Sequence, residues 1–318
     1  MEARALGRSG VEVSRIILGC GNFGGIGSSP AFFGAGETED EAHAILDAAW
    51  QAGITTLDTA DAYGGGRSES YIGSWLARKD PEVRERIVLT TKTFNPMSEG
   101  ADRGLSRDRI RRQVRSSLER LGVDAVPLYL AHAMDPDIPV AETIGAFAEL
   151  ADEGTIVGYG GSNVDAAWLD EALRAGEPAW VQNSYSLLER EDEGDALPVC
   201  RRDGLGYTPF SPLAGGWLTG KYRRDAPAPA GSRMTMRPEP YRGFETEAIY
   251  GALEAFEARA REHDTTPAAL AIAWLLAQPY VTAVVIGPRR PEHLEPALSA
   301  LRLDLTASER DDLAELFP

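Results

Sequence analysis

Cysteine is nearly absent: the 318-residue chain holds two, Cys20 and Cys200, far apart and in no C-x-x-C spacing. That excludes a disulfide-stapled scaffold and a zinc ribbon, and it suits a reducing compartment. Basic charge is also short, with 32 Lys and Arg against 49 Asp and Glu and a formal net charge of −17. Such an excess of negative charge argues against nucleic acid or an anionic membrane as the main partner. An anionic ligand would need a local basic pocket. Lysine is the scarcer cation, present only as Lys79, Lys92 and Lys221. No apolar run approaches the length of a membrane span, and the opening MEARALGRSGVEVS has no signal-peptide core, so a cytoplasmic location is expected. No metal site is expected.

What the chain does have is a repeating alternation. Short runs rich in Val, Ile, Leu and Tyr recur at 15–19, 54–58, 87–92, 126–132, 156–160, 179–182, 205–210 and 281–286. Amphipathic stretches separate them. In 107–121, Ile110, Val114, Leu118 and Leu121 follow helical spacing, with the arginines expected on the opposite face. Thr38 with Glu41 three residues later reads as a capping box for a helix over 39–52, and Thr266-Pro267 opens another over 267–277. Eight strands each followed by a helix, with no compositional break, predict a single α/β domain over residues 1–318, a (β/α)₈ barrel of the TIM type. A doubly wound sheet is the alternative. The segment around ALGRSGVEV predicts an N-terminal β-hairpin turning at Ser9-Gly10 and plugging the N-terminal end of the barrel. Segments 20–37, 93–106 and 222–244 fit no helix and would form long loops on the C-terminal face, where barrel sites are built.

One motif is a decoy. Gly19, Gly21 and Gly24 spell G-x-G-x-x-G after a strand, but the dinucleotide fingerprint requires its last glycines to open a helix. Here the chain runs on as Gly25-Ile26-Gly27-Ser28-Ser29-Pro30. The informative set is Asp58, Tyr63, Lys92 and His132, which fall at or just beyond the C-terminal ends of three consecutive predicted strands. A tyrosine is a poor acid at neutral pH, but a lysine cation beside it favours the phenolate. An aspartate would keep that lysine charged and in place. A neutral histidine can donate a hydrogen bond to a carbonyl oxygen. Such a unit polarises a carbonyl and protonates the resulting alkoxide, and it needs a hydride-donating cofactor.

With these residues in place, the chain resembles the aldo-keto reductase family from end to end. The matching stretches are RALGRSGVEVSRIILG, TTLDTADAYGGGRSES, IVLTTK, SLERLGVD, YLAHAMD, GYGGSN, WVQNSYSLLER, PFSPLAGGWLTGKY and IGPRRPEHL. The resemblance implies that Asp58, Tyr63, Lys92 and His132 are the catalytic tetrad, with Tyr63 the general acid. It implies an NADP(H) cofactor across the C-terminal face. Ser162, Asn163 and Gln182 match carboxamide contacts, and Phe210 matches the aromatic ring that stacks on the nicotinamide. Ser211, Pro212, Leu213, Gly215 and Lys221 match the pyrophosphate loop. Gly287 and Arg289 match the segment around the adenosine 2′-phosphate, with Arg290 and His293 beside them. Pro296 and Ala297 stand where many members carry Glu-Asn, so the resemblance implies adenine contacts that are either weaker or supplied by another loop such as 222–244, with Arg233 as a candidate.

The expected activity is therefore NADPH-dependent reduction of a small-molecule aldehyde or ketone by a monomer or small homo-oligomer. Two rival readings follow from the same residues. One is a cofactor-binding regulatory subunit resembling potassium-channel β-subunits. The other is a barrel lyase using Lys92 as a Schiff-base nucleophile. The aromatic residues Phe23, Phe32, Phe33, Phe94, Trp217 and Tyr241 are expected either to line an apolar pocket or to pack the loops.

Overall fold

The computed structural model describes residues 1–318 in full. Strands β1 (Ala3–Ala5) and β2 (Glu12–Ser14) form the antiparallel N-terminal hairpin. Eight parallel strands follow: β3 (Ile16–Gly19), β4 (Thr56–Asp58), β5 (Val88–Thr93), β6 (Val126–Ala131), β7 (Ile156–Ser162), β8 (Trp180–Gln182), β9 (Gly206–Tyr207) and β10 (Val284–Ile286). The ladder runs β10-β3-β4-β5-β6-β7-β8-β9. It curls onto itself, because Thr282 N–H donates to Tyr207 O at 2.8 Å and Val285 N–H donates to Pro209 O at 2.9 Å. The protein is a (β/α)₈ barrel, and every predicted run contributes a strand.

The seventh run is the one that shortens most. Of residues 205–210 only Gly206 and Tyr207 pair in a ladder. Pro209 has no N–H to donate, and Phe210 peels away to an isolated bridge with Ser184. The early break turns the chain outward where the 211–216 turn begins.

The hairpin closes the N-terminal end of the barrel. Leu6 and Val13 join Ile17, Leu128, Leu130, Ala179, Trp180, Ala283 and Val285 in one buried cluster inside the barrel. Gly7 lies so close to the barrel that a Cβ there would sit 2.1 Å from Ala179 O. The larger core lies between the strands and the outer helices, as this architecture requires.

Both predicted helix starts are present. Thr38 and Glu41 cap the helix Glu39–Gln51 reciprocally, and Thr266 Oγ1 caps Pro267–Leu276. In Arg107–Leu121 the residues Ile110, Val114 and Leu121 are buried as expected, but Arg109 is buried with them. Its guanidinium reaches over the end of β5 instead of facing solvent. No helix is long and apolar enough to cross a membrane.

The three long loops lie beyond the C-terminal ends of the strands. Segment 20–37 holds no α-helix, only a 3₁₀ turn at Pro30–Phe32. The last glycine of the decoy motif and its neighbour serve a loop contact: a Cβ at Gly24 would lie 2.4 Å from Arg67 Cβ, one at Gly25 would lie 2.7 Å from Gly64 Cα, and one at Gly64 would lie 2.7 Å from Phe23 O. Two backbones thus touch directly behind Tyr63. Segment 222–244 is more ordered than its composition suggests, with a short helix at Arg233–Met236 and a 3₁₀ stretch at Glu239–Phe244.

Candidate active site

Asp58 is the last residue of β4, Lys92 lies near the end of β5, and His132 directly follows β6. Side chains alternate along a strand, so Lys92 points into the barrel mouth while Thr91 and Thr93 face the helices. The Lys92 Nζ donates to Asp58 Oδ2 at 2.6 Å, to Thr59 O at 2.9 Å and to Tyr63 Oη at 3.4 Å. Tyr63 Oη lies 3.4 Å from His132 Nε2, with the two rings edge to face. Gln182, on β8, donates its amide to Asp58 Oδ1 at 2.9 Å. The four tetrad candidates are thus brought together in one cleft, with Gln182 joined to them through Asp58.

The electrostatics separate their protonation states. Lys92 is wholly buried, which by itself would favour the neutral amine, but Asp58 and Tyr63 hold its pKa above the ordinary value. That is the reverse of what a Schiff-base lysine needs. Burial pushes the Tyr63 phenol up while Lys92 pulls it down, and the balance stays above the ordinary tyrosine value. The expected depression of the Tyr63 pKa by Lys92 therefore exists as an opposing pull that burial outweighs. Burial, assisted by the Lys92 charge, drives His132 well below the usual imidazole range, so it is neutral at pH 7. The site presents a protonated phenol, a neutral imidazole and a charged ammonium around one point.

A second layer of polar residues escaped sequence reasoning. Asn95 Nδ2 lies 3.3 Å from His132 Nδ1. Arg109 donates to Asn95 O at 2.7 Å, Thr93 Oγ1 at 2.7 Å and Gly104 O at 3.0 Å. Thr93 Oγ1 in turn lies 2.7 Å from Asp61 Oδ2. Asp61 is fully buried, and its Oδ1 has no partner; burial raises its pKa to about 7. Arg109 was hidden by its place in an arginine-rich amphipathic helix. Asn95, in a loop three residues beyond Lys92, carries no pattern that would single it out.

Beside the tetrad lie the residues matched to a cofactor. Ser162 and Gln182 are buried. Asn163 adopts φ 55° and donates to His132 O at 2.8 Å. Ser211 and Ala214 also have positive φ, at 56° and 45°, so three of the four non-glycine residues in this conformation lie in these segments. Such backbone strain concentrates at binding sites. Gly215, at φ 64°, supports the same turn and is covered by the Tyr241 ring, only 2.5 Å from where a Cβ would stand. Phe210, Pro212 and Leu213 complete the turn, and the Lys221 side chain runs back along Gly216.

The basic residues converge as a local pocket. Arg233 donates to Asn22 Oδ1 at 2.7 Å, and Arg289 Nε donates to Glu37 Oε1 at 2.6 Å. Arg290 lies 3.3 Å from His293 Nε2, and His293 Nδ1 accepts from Arg289 N–H at 3.3 Å. Gly287 is exposed at the start of this segment. Burial followed by repulsion from Arg233 and Arg289 lowers the Lys221 pKa, and burial followed by Arg290 lowers that of His293. Cations held close enough to repel one another suit a polyanion, and the strained turn at 211–216 offers backbone N–H groups to phosphate oxygens. The residues present fit a nicotinamide dinucleotide. Among the loop aromatics, Phe23 and Trp217 are buried in the main core and so pack the loops, while Phe32 carries the Arg237 guanidinium at 5.8 Å.

A family model described as the aldo/keto reductase family matches residues 15–317. The chain is 32% identical to the NADH-specific methylglyoxal reductase of Escherichia coli, across 99% of this chain and 98% of that protein. It is also 32% identical to a putative voltage-gated potassium channel β-subunit of Schizosaccharomyces pombe, across 94% and 87%. Among solved structures it matches a glycerol dehydrogenase from Gluconobacter oxydans with a TM-score of 0.84 at 26% identity, covering 99% and 94%. The chain belongs to the aldo-keto reductase family, oxidoreductases that act on carbonyl groups with nicotinamide cofactors.

Proposed function

We propose that this protein reduces an aldehyde or ketone to the alcohol with NADPH, with Tyr63 as the proton donor. The observation that carries the reading is the placement of Tyr63 Oη 3.4 Å from both the Lys92 ammonium and His132 Nε2, with its phenol held protonated. A carbonyl oxygen at the mouth of this triangle accepts hydrogen bonds from Tyr63 and His132. A nicotinamide dinucleotide held beside the site would supply the hydride for the carbonyl carbon. Negative charge that develops on the oxygen is met by the Tyr63 proton, so the alcohol leaves neutral. The phenolate left behind faces Lys92, which Asp58 keeps charged.

The cofactor contacts follow the same layout. Ser162, Asn163 and Gln182 would hold the carboxamide, and Phe210 would stack on the nicotinamide. Ser211, Pro212, Leu213, Gly215 and Lys221 would take the pyrophosphate. Gly287, Arg289, Arg290 and His293 would meet the adenosine 2′-phosphate, with Arg233 the candidate for the adenine contact. The clustering of these cations on a chain of net charge −17 supports NADPH over NADH.

The deciding experiment follows nucleotide oxidation with NADPH and with NADH across aryl aldehydes, aliphatic aldehydes, α-dicarbonyls and keto sugars. Turnover with NADPH exceeding that with NADH is expected. Equal affinity for the two nucleotides, measured by quenching of tryptophan fluorescence, would overturn the cofactor assignment. Absence of turnover across the panel, together with tight association with a membrane partner, would favour a channel-subunit role.

A further inference from the structure

The reading above requires His132 to offer a proton, not a lone pair, to the carbonyl oxygen. Which ring nitrogen holds that proton is decided on the far side of the ring. Asn95 Nδ2 faces His132 Nδ1 at 3.3 Å, and an amide nitrogen can only donate. Nδ1 must then be the acceptor, which leaves the single proton of the neutral imidazole on Nε2, the atom 3.4 Å from Tyr63 Oη.

The alternative tautomer would disable the site. The Lys92 ammonium has no lone pair, so Tyr63 Oη accepts from it. If Nδ1 carried the proton, the bare Nε2 would draw the Tyr63 O–H toward itself. The carbonyl would then lose both the proton it must receive and the second hydrogen bond. With Nε2 protonated, Tyr63 Oη is flanked by two donors, and its own O–H is free to point at the substrate.

Asn95 is well placed to impose this choice. Its backbone carbonyl oxygen accepts from Arg109 at 2.7 Å, and Pro96 follows it, restricting its backbone to extended conformations. Arg109 also holds Thr93 Oγ1, and Thr93 O accepts the His132 backbone N–H at 2.9 Å. One buried guanidinium thus ties the segment carrying Asn95 to the strand end beside His132. Asn163 fixes the opposite edge by donating to His132 O.

We propose that Asn95, held by Arg109, is a positioning residue that sets the Nε2–H tautomer of His132 and thereby keeps the Tyr63 proton available to the carbonyl. The inference rests on the carbonyl-reductase reading, but its first readout does not depend on turnover. In the purified full-length protein, ¹⁵N–¹H correlation of the histidine rings resolves four residues. His132 is identified by its loss in His132→Gln.

The wild type is expected to show a bare Nδ1 and a protonated Nε2. Asn95→Asp, an acceptor only, is expected to move a proton onto Nδ1 and lower kcat about 100-fold, with nucleotide affinity unchanged. Asn95→Leu, with neither donor nor acceptor, is expected to show mixed tautomers and an intermediate loss; it serves alone if the aspartate variant does not fold. A protonated Nδ1 in the wild type overturns the proposal. So does Asn95→Asp or Asn95→Leu with the wild-type tautomer, or either variant with wild-type kcat. Failure of the carbonyl-reductase reading would appear separately, as a wild type with no turnover on any carbonyl.

Discussion

Asp58 and Lys92 form a 2.6 Å ion pair at the floor of the cleft, with both side chains sealed from solvent. Two charges lose their hydration there, and three further contacts offset it: Thr59 O and Tyr63 Oη on the ammonium, Gln182 Nε2 on the carboxylate. Lys92→Met would leave a buried carboxylate unpaired. It is expected to lower unfolding free energy by about 3–5 kcal/mol in urea titrations. It should also reduce kcat by roughly 100-fold or more. Lys92→Arg is the sharper variant, since a guanidinium fork does not fit a site shaped around one point charge. Near-normal turnover in that variant would show that the lysine is incidental.

Tyr63→Phe removes the proposed proton donor without changing the shape of the cleft. Turnover is expected to fall by about 10²- to 10⁴-fold while NADPH still quenches tryptophan fluorescence with wild-type affinity. Because the Tyr63 pKa lies above its ordinary value, the donor form persists through neutral pH. Carbonyl reduction should therefore be flat across neutrality and fall only in alkaline solution, whereas alcohol oxidation should rise there. A reduction rate that declines between pH 6 and 8 would point to another donor.

Glu37 is buried, with one oxygen on Arg289 and the other without a partner. A 2′-phosphate at Arg289 must compete with this carboxylate. Glu37→Gln is expected to tighten NADPH binding roughly fivefold and leave NADH binding within twofold, the scale of one partly exposed ion pair. Arg289→Ala should weaken NADPH selectively. Parallel changes for both nucleotides would place the 2′-phosphate elsewhere.

Asp61 supplies a pH dependence of stability. Its pKa is raised from 3.8 to about 7, so the folded protein holds this proton more tightly than the unfolded chain. Its contribution is fully present below about pH 4, declines by up to about 1.4 kcal/mol per pH unit as pH rises toward 7, and is lost above. Asp61→Asn keeps an acceptor for the Thr93 hydroxyl without the charge. The variant should be clearly more stable than wild type at pH 8 and close to it at pH 4. An identical pH dependence of the two urea midpoints would refute this account.

Much of the architecture was legible because it rests on local periodicity. Buried strands read as apolar runs, the capping box at Thr38 and Glu41 is a four-residue pattern, and the proline at 267 marks a helix start by its missing N–H. The convergence of Asp58, Tyr63, Lys92 and His132 could be anticipated because each ends or follows a strand, and the barrel topology sends strand ends to one place. The glycine decoy could be dismissed for a local reason too, since Gly25 to Pro30 cannot open a helix.

The chain alone thus determined a (β/α)₈ barrel and which side chains meet at its mouth, since one face of each strand end is dictated by alternation. Tertiary structure decided the state of those side chains. The net direction of the Tyr63 pKa is a contest between burial and one ammonium, and neither is readable from spacing. The inward turn of Arg109 is fixed by acceptors on Thr93 and Asn95, which helical periodicity does not describe. The pairing of Glu37 with Arg289 joins residues 252 positions apart. Protonation, tautomer and charge pairing depend on distances set by the closed barrel, and so only the folded molecule fixes them.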